Sequence, residues 1–122
     1  MNKKYIILGV IVLIALAVSF VIAYNYYNEP FRKCMRELKS DIKAHQVQYI
    51  PGSIVASFKS GITKEQQKSL VEPYGMQVTY QYKSSNDAAV KVPQNMELES
   101  VCRLKLNPNV ASAELNVIFS KK

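Results

Sequence analysis

The sequence predicts an α+β domain, a four-stranded antiparallel sheet with two helices on one face, behind an N-terminal transmembrane helix. Three observations support this prediction. Residues 5–28 contain no charged side chain. Residues 76–82 alternate between apolar and small polar side chains, as in a strand with one buried face. In residues 46–122, extended and helical patterns follow in the order strand, helix, strand, strand, helix, strand. This order is the split βαβ, or ferredoxin-like, plan.

The uncharged stretch is long enough to cross a membrane. At 1.5 Å per residue, a helix over residues 5–24 is about 30 Å long, which matches the hydrocarbon core of a bilayer. Two lysines precede the stretch and three tyrosines follow its apolar part, where amphipathic rings favour the interface. Small residues at cleavage spacing leave a cleaved signal peptide as an alternative, although the uninterrupted length favours an anchor. We therefore expect a signal-anchor or transmembrane helix in residues 1–27.

Residues 28–45 predict an amphipathic juxtamembrane helix. The segment Asn28-Glu29-Pro30 is expected to break the membrane helix or to start a new one, because proline suits a first helical turn. After it, apolar residues recur at helical spacing among charged ones, at Phe31, Cys34, Met35, Leu38 and Ile42. Their face can lie on anionic headgroups. Alternatively, the helix packs on the following domain or spaces it from the membrane, and we favour this second interpretation.

The first strand and the first helix of the domain lie between Gln46 and Gly75. Apolar and more polar side chains alternate over residues 54–59, which predicts a strand. Thr63 and Gln66 then form a capping box, which opens a helix that extends to about Val71.

The remaining elements follow the strand predicted over residues 76–82. A polar turn at 84–87 separates it from a third strand over 88–92. Asn95 can cap a second helix, and residues 110–119 predict the last strand. The domain therefore occupies residues 46–122.

One face of the sheet, the open face, is expected to remain uncovered because both helices lie on the other. The alternation directs Phe58, Tyr80 and Tyr82 to the core. The open face is then lined by Ser57, Lys59, Gln77, Thr79, Gln81, Ala89 and Lys91. RNA-binding sheets of this strand order need aromatic side chains on that face, so this assignment disfavours RNA. A small domain with an open face can gain stability by docking on a partner.

Length and composition argue against an enzyme. The 122 residues leave no room for a barrel enzyme or a two-domain dinucleotide enzyme. One histidine and two cysteines cannot by themselves close a zinc site, and there is no glycine-rich phosphate loop. The net charge of +7 is scattered or flanks the apolar stretch, and forms no nucleic-acid-binding stripe. We expect no catalysis, cofactor, metal, small-molecule substrate or nucleic-acid partner.

The two cysteines, Cys34 and Cys102, leave two interpretations open. In an oxidising compartment they can pair. Alternatively, each is a small apolar residue on a helix face. The sequence alone favours the second interpretation.

Four segments resemble, in order, the propeptides of subtilisin-like serine proteases. They are residues 49–59 (YIPGSIVASFK), 75–78 (GMQV), 88–93 (AAVKVP) and 106–116 (LNPNVASAELN). The last is similar to the closing signature of that family, Asn-Pro-Asn-Val followed by Ala-Glu-Pro-Asn, with Leu115 in place of the proline. Over about residues 46–119 the chain therefore resembles a propeptide-like protease inhibitor, of the type of the fervidolysin N-terminal prodomain. No protease domain follows it in this sequence.

The resemblance implies an inhibitor or folding chaperone that acts in trans on a subtilisin-like protease. In that family the open face packs on two surface helices of the protease, and the carboxylate matching Glu114 approaches the helix N-termini. The C-terminal tail, residues 119–122, lies in the substrate cleft as a product mimic. The implied protease-binding residues are Glu114, Asn116, Phe119, Ser120, Lys121, Lys122, Gln77, Thr79 and Gln81.

Two questions stay open at this point. The domain could instead be a membrane-anchored assembly module whose sheet binds a partner that is not a protease. The positive charges after the apolar stretch favour a cytoplasmic domain, whereas the short basic head before it is typical of export. With the resemblance, we expect a single-pass membrane protein with an extracytoplasmic domain, or a secreted one if the signal is cleaved.

Overall fold

A computed structural model describes residues 2–121 and confirms the α+β class. The elements are α1 (Lys3–His45), β1 (Gln48–Phe58), α2 (Lys64–Val71) with a 3₁₀ turn (Glu72–Tyr74), β2 (Gln77–Gln81), β3 (Asp87–Lys91), α3 (Glu97–Lys105) and β4 (Val110–Phe119). The strands form one sheet in the order β2-β3-β1-β4, and each neighbouring pair is antiparallel. The two central strands are therefore β1 and β3.

The core lies between this sheet and the helices α2 and α3. Alternate side chains of the strands are buried there, namely Ile54, Ala56, Phe58, Ala88, Val90, Ala113 and Leu115. Val71 of α2 and Val101 and Leu104 of α3 complete the same cluster. The alternation predicted for β1 and the burial of Phe58 are confirmed.

The second half of β2 faces the opposite way from the prediction. Val78 pairs with Val90, but a register shift follows, and Tyr80 pairs with Ala89. A bulge adds one residue to a strand and thereby exchanges the two faces beyond it. Tyr80 and Tyr82 are consequently 57% and 41% exposed, so their assignment to the core is wrong.

Gln81 moves to the helix side of the sheet for the same reason, and its predicted place on the open face is also wrong. It pairs with the fully buried Ala88. Its Nε2 donates to the Lys64 carbonyl at 2.8 Å and to Gln67 Oε1 at 3.1 Å, both on α2. These hydrogen bonds offset the desolvation cost of the Gln81 amide on the helix side of the sheet.

The long helix α1 is continuous, so the break predicted at residues 28–30 is wrong. Pro30 lies inside the helix. Two side chains near Pro30 bond earlier carbonyls of the helix: Asn28 Nδ2 donates to the Tyr24 carbonyl at 2.9 Å, and Arg32 Nη2 donates to the Asn25 carbonyl, two turns earlier, at 3.1 Å. A proline in a helix interior costs about 3 kcal/mol, because it removes one backbone hydrogen bond, here the bond to the Tyr26 carbonyl.

The C-terminal half of α1 packs on the domain, as favoured from the sequence. Leu38 and Ile42 lie against the core, and the guanidinium of Arg103 lies 5.4 Å from the ring centroid of Phe31. Cys34 and Cys102 form a disulfide, with Cα atoms 5.8 Å apart. The interpretation of both cysteines as unpaired apolar residues is therefore wrong.

The N-terminal half of α1 extends away from the domain. Its apolar side chains are exposed, and by length and composition alone this helix can cross a membrane. Within residues 2–121 it is the one helix that can do so.

Candidate functional site

The open face carries a row of four cross-strand neighbours, one from each strand. Tyr80 of β2 pairs with Ala89 of β3, which pairs with Val55 of β1, which in turn pairs with Glu114 of β4. Neighbouring strands lie about 4.8 Å apart, so that the row is about 14 Å long. It places an aromatic ring at one edge of the sheet, a carboxylate at the other, and small apolar side chains between them.

The aromatic end of this row is reinforced by Tyr82. The rings of Tyr80 and Tyr82 lie edge to face, with centroids 4.9 Å apart. The sequence predicted that both tyrosines are buried, because alternating tyrosines fit a buried face as well as an exposed one. Their exposure also removes the argument against RNA that rested on a face without aromatics. The scattered positive charge remains as the argument against nucleic acid.

A second row on the open face brings together predicted residues from the two edges. Gln77 pairs with Lys91, and Lys91 pairs with Ser53 of β1. Asn116 Nδ2 donates to Ser53 Oγ at 3.1 Å. Gln77, Asn116 and Glu114 therefore belong to one surface, which Gln81 does not join.

Thr79 lies at the bulge of β2. Its Oγ1 donates to the Ala89 carbonyl at 3.2 Å, so its hydroxyl bonds the neighbouring strand. Thr79 remains exposed, and it supports the turn of Tyr80 towards the open face.

The tail is held along β1. Phe119 pairs with Gln48, and its side chain is exposed. The N–H of Lys121 donates to the His45 carbonyl at 2.6 Å, and His45 Nδ1 lies 3.1 Å from the Lys121 carbonyl oxygen. Ser120 is exposed, and Lys122 lies outside the described residues. The tail therefore continues the edge of the sheet to the end of α1.

A buried carboxylate that sequence reasoning missed, Glu97, holds the bend of β1. It is 4% exposed at the start of α3, and its Oε1 accepts from the N–H groups of Gly52 at 2.9 Å and Asn95 at 3.2 Å. Burial raises the pKa of Glu97, but hydrogen bonds from the backbone N–H groups of Gly52, Glu97 itself and Asn95 outweigh it, and the net pKa lies below 4.5. The sequence did contain a signal for this role, since Glu97 is an acidic residue in the first turn of a predicted helix, where a carboxylate is favoured.

Gly52 lies in an irregularity of β1, which pairs with β4 on both sides of it and begins to pair with β3 at Ser53. Its φ is +73°, and a Cβ there would lie 3.3 Å from the Val92 carbonyl oxygen. On one side of it Tyr49 pairs with Val117, and on the other Ser53 pairs with Lys91. Glu97 therefore fixes the bend that separates the tail from the row of the open face.

Within residues 2–121, no group of three or more His, Cys, Asp or Glu side chains is placed to hold a metal ion. The open face and the tail present hydrogen-bonding, aromatic and charged groups to the surface.

The chain matches a known protein family. A profile described as the fervidolysin N-terminal prodomain matches residues 37–116, about two thirds of the chain. The match begins inside α1 and ends in β4, so it includes both rows of the open face and stops before the tail. A comparison with curated proteins gave no match.

Proposed function

Because the chain belongs to the fervidolysin N-terminal prodomain-like family, we propose that it acts in trans as an inhibitor or folding chaperone of a subtilisin-like serine protease. The domain has the ferredoxin-like plan, an assignment supported by the strand order β2-β3-β1-β4 with antiparallel neighbours. It binds the protease without catalysing a reaction of its own.

The observation that carries this proposal is the row from Tyr80 to Glu114 on the open face. The small side chains of Ala89 and Val55 in its centre let two helices of a partner approach the sheet closely. Glu114 at the β4 edge can accept hydrogen bonds from helix N-termini, where backbone N–H groups lack intrahelical partners. Tyr80 supplies the kind of aromatic anchor that dominates protein interfaces.

The second part of the proposed mechanism is insertion of the tail into the substrate cleft. Residues 119–122 then lie there as an extended strand that resembles a cleaved product, with Lys122 in the primary pocket. This requires the tail to leave β1, which breaks the Gln48–Phe119 pairing and the contacts between His45 and Lys121. Protease contacts must exceed that cost, so the tail acts after the open face has docked.

The domain is extracytoplasmic and tethered by α1. This is supported by the Cys34–Cys102 disulfide, since disulfides persist in oxidising compartments. It is further supported by the exposed apolar length of α1. The target protease consequently lies on the outer side of the same membrane or is secreted past it.

The test is an inhibition assay of the full chain in detergent against a panel of subtilisin-like proteases. We expect slow, saturable inhibition of at least one protease. Glu114→Ala should weaken it, whereas the control Glu65→Ala on α2, on the opposite side of the sheet, should not. Failure to inhibit or to assist refolding of any member would contradict the proposal.

The second candidate is an assembly module that binds a partner other than a protease. The observation that favours it is the pairing of the tail with β1, which leaves the open face as the readily available surface. Under this hypothesis the chain binds through Tyr80 and Glu114, and removal of the tail changes nothing.

A further inference from the structure

We propose that one end of the domain rests on the headgroup layer of the membrane that α1 crosses and binds anionic lipid there. This end, called the foot, consists of the 3₁₀ turn and the C-terminal end of α3, with Tyr74, Arg103 and Leu106. The inference rests on the membrane anchoring proposed above and is independent of the protease.

The foot lies at the height where α1 leaves its apolar stretch. Tyr24 and Tyr27 of α1 line one cleft together with Tyr74, Arg103 and Leu106 of the foot. The Arg103 guanidinium lies over the ring of Phe31, which also lines this cleft. Residues 24–31 and the foot are therefore side by side.

The geometry of α1 gives the position of the foot relative to the hydrocarbon core of the bilayer. If residues 5–24 fill the hydrocarbon core, Phe31 lies seven residues further, about 10 Å beyond the core boundary. The headgroup region is about 5–8 Å thick on each side. Side chains that reach from the level of Phe31 towards Tyr24 thus enter the headgroup layer.

The foot cannot move far along or away from the helix. The Cys34–Cys102 disulfide joins α1 to α3 immediately beside it. Leu38 and Ile42 continue the contact with the core. The orientation of the domain relative to the bilayer is consequently determined by α1 itself.

The chemistry of the foot suits anionic headgroups. Tyr74 is 38% and Leu106 49% exposed, and both can enter the interface as amphipathic or apolar anchors. The cleft is lined by Arg32 and Arg103 and by no acidic side chain. Glu29 next to it on α1 lies 3.1 Å from Arg36 and 3.9 Å from Arg32. The foot itself carries one acidic residue, Glu72 of the 3₁₀ turn, against Arg103 and Lys105 of α3. Basic side chains at this level attract anionic lipid.

The test uses the absence of tryptophan from this sequence. Leu106→Trp places a single reporter on the foot. The matched control is Val117→Trp, since Val117 is 47% exposed and lines a cleft with Ile42. Ile42 is 18 residues beyond Tyr24, about 27 Å along the axis. Both full-length variants are reconstituted in phosphatidylcholine vesicles that carry a spin label on the headgroup.

We expect the label to quench the tryptophan at position 106 and to leave the one at position 117 unaffected. Adding phosphatidylglycerol should increase the quenching, and Arg103→Gln should remove that increase, whereas the control Lys68→Gln on α2 should not. Equal quenching at the two positions overturns the inference. Extraction of the wild-type chain from the vesicles by alkaline carbonate overturns the membrane anchoring as well.

A second measurement needs no substitution. Tyr74 and Tyr82 are similarly exposed, 38% and 41%. In nanodiscs containing phosphatidylglycerol, hydroxyl radicals should oxidise Tyr74 several-fold more slowly than Tyr82. Equal rates in a protein with an intact disulfide contradict the inference, whatever the protease assay shows.

Discussion

The backbone N–H of Gly52 donates to Glu97 Oε1 across 2.9 Å, and this bond joins the bend of β1 to the start of α3. The Gly52 carbonyl in turn accepts from the N–H of Val92 at 2.9 Å. Both backbone polar groups of the bend are thereby satisfied by elements far away in sequence. The geometry of β1, and with it the separation of the open face from the tail, depends on this carboxylate.

Replacing Glu97 should therefore destabilise the domain. Glu97→Ala leaves the part-buried N–H groups of Gly52 and Asn95 without their acceptor. Hydrogen bonds to charged groups contribute about 1.5–3 kcal/mol. We expect the free energy of unfolding to fall by about 2 kcal/mol, measured by denaturant titration in detergent. Glu99→Ala, in the same helical turn, serves as the control. An equal loss in both variants would show that helix propensity, not the bond to Gly52, is responsible.

The same carboxylate predicts a dependence of stability on pH. The pKa of Glu97 is lowered in the folded state, so the stabilisation is fully present above the unfolded value of about 4.5. It is lost as the pH falls from there through the folded pKa. The melting temperature of Glu97→Gln should consequently decrease less than that of the wild type below pH 4.5. Parallel melting curves over this range would argue against a charged Glu97.

The disulfide predicts that stability depends on redox state. The cysteines are 68 positions apart in sequence, and closing a loop of that length stabilises by about 4.4 kcal/mol through the unfolded state. Cys34→Ala should lower the melting temperature and abolish the effect of a reducing agent. The wild type should respond to dithiothreitol in calorimetry. An unchanged wild-type melting temperature after verified reduction would contradict this.

The fold was predictable where local patterns and packing agree. Ile54, Ala56 and Phe58 alternate in sequence and are buried in the structure, and the capping box of Thr63 and Gln66 opens α2 as expected. In β2, the alternation predicted that Val78, Tyr80 and Tyr82 all lie on the core face of the sheet. The bulge beside Thr79 reverses it, and depends on bonds to β3 and α2 that no local pattern reveals.

Long-range contacts explain the other differences. Pro30 predicted a break by the local rule, but α1 continues through it, and beyond it Leu38 and Ile42 pack against the core. The pairing of Cys34 with Cys102 follows from the packing of α1 on α3, which spacing alone cannot specify. The place of Gln77 on the open face was predictable from strand alternation, whereas Glu114 and Asn116 were expected from the resemblance to the propeptides.

Tyr80 should contribute to docking without contributing much to folding. It is exposed in the chain alone, and a buried interface tyrosine contributes about 2 kcal/mol or more. Tyr80→Ala should therefore weaken binding to an inhibited protease by about thirtyfold. The measurement is the dissociation constant from surface plasmon resonance, with Tyr49→Ala as a control for general loss of stability, since Tyr49 packs against the core. A change in melting temperature without a change in affinity would exclude Tyr80 from the interface.

The last prediction concerns the tail, and it separates inhibition from docking. Deleting residues 119–122 should abolish inhibition and leave weaker binding through the open face. The deletion removes only the terminal pairing to Gln48 and the contacts of Lys121 with His45, so the fold should persist.

Phe119 tests the same tail more finely, because its ring is exposed on β4 and would enter an apolar subsite of the protease. Burying it should contribute about 2 kcal/mol, and Phe119→Ala should raise the inhibition constant about thirtyfold. Ile118→Ala, a truncation of the preceding exposed side chain, is the matched control and should have a much smaller effect.

Lys122 should govern which protease is inhibited, because an apolar primary pocket leaves its ammonium without a partner. If the deletion variant inhibits a sensitive protease as strongly as the full chain, the tail does not block the cleft. Binding through the open face then supports the assembly module.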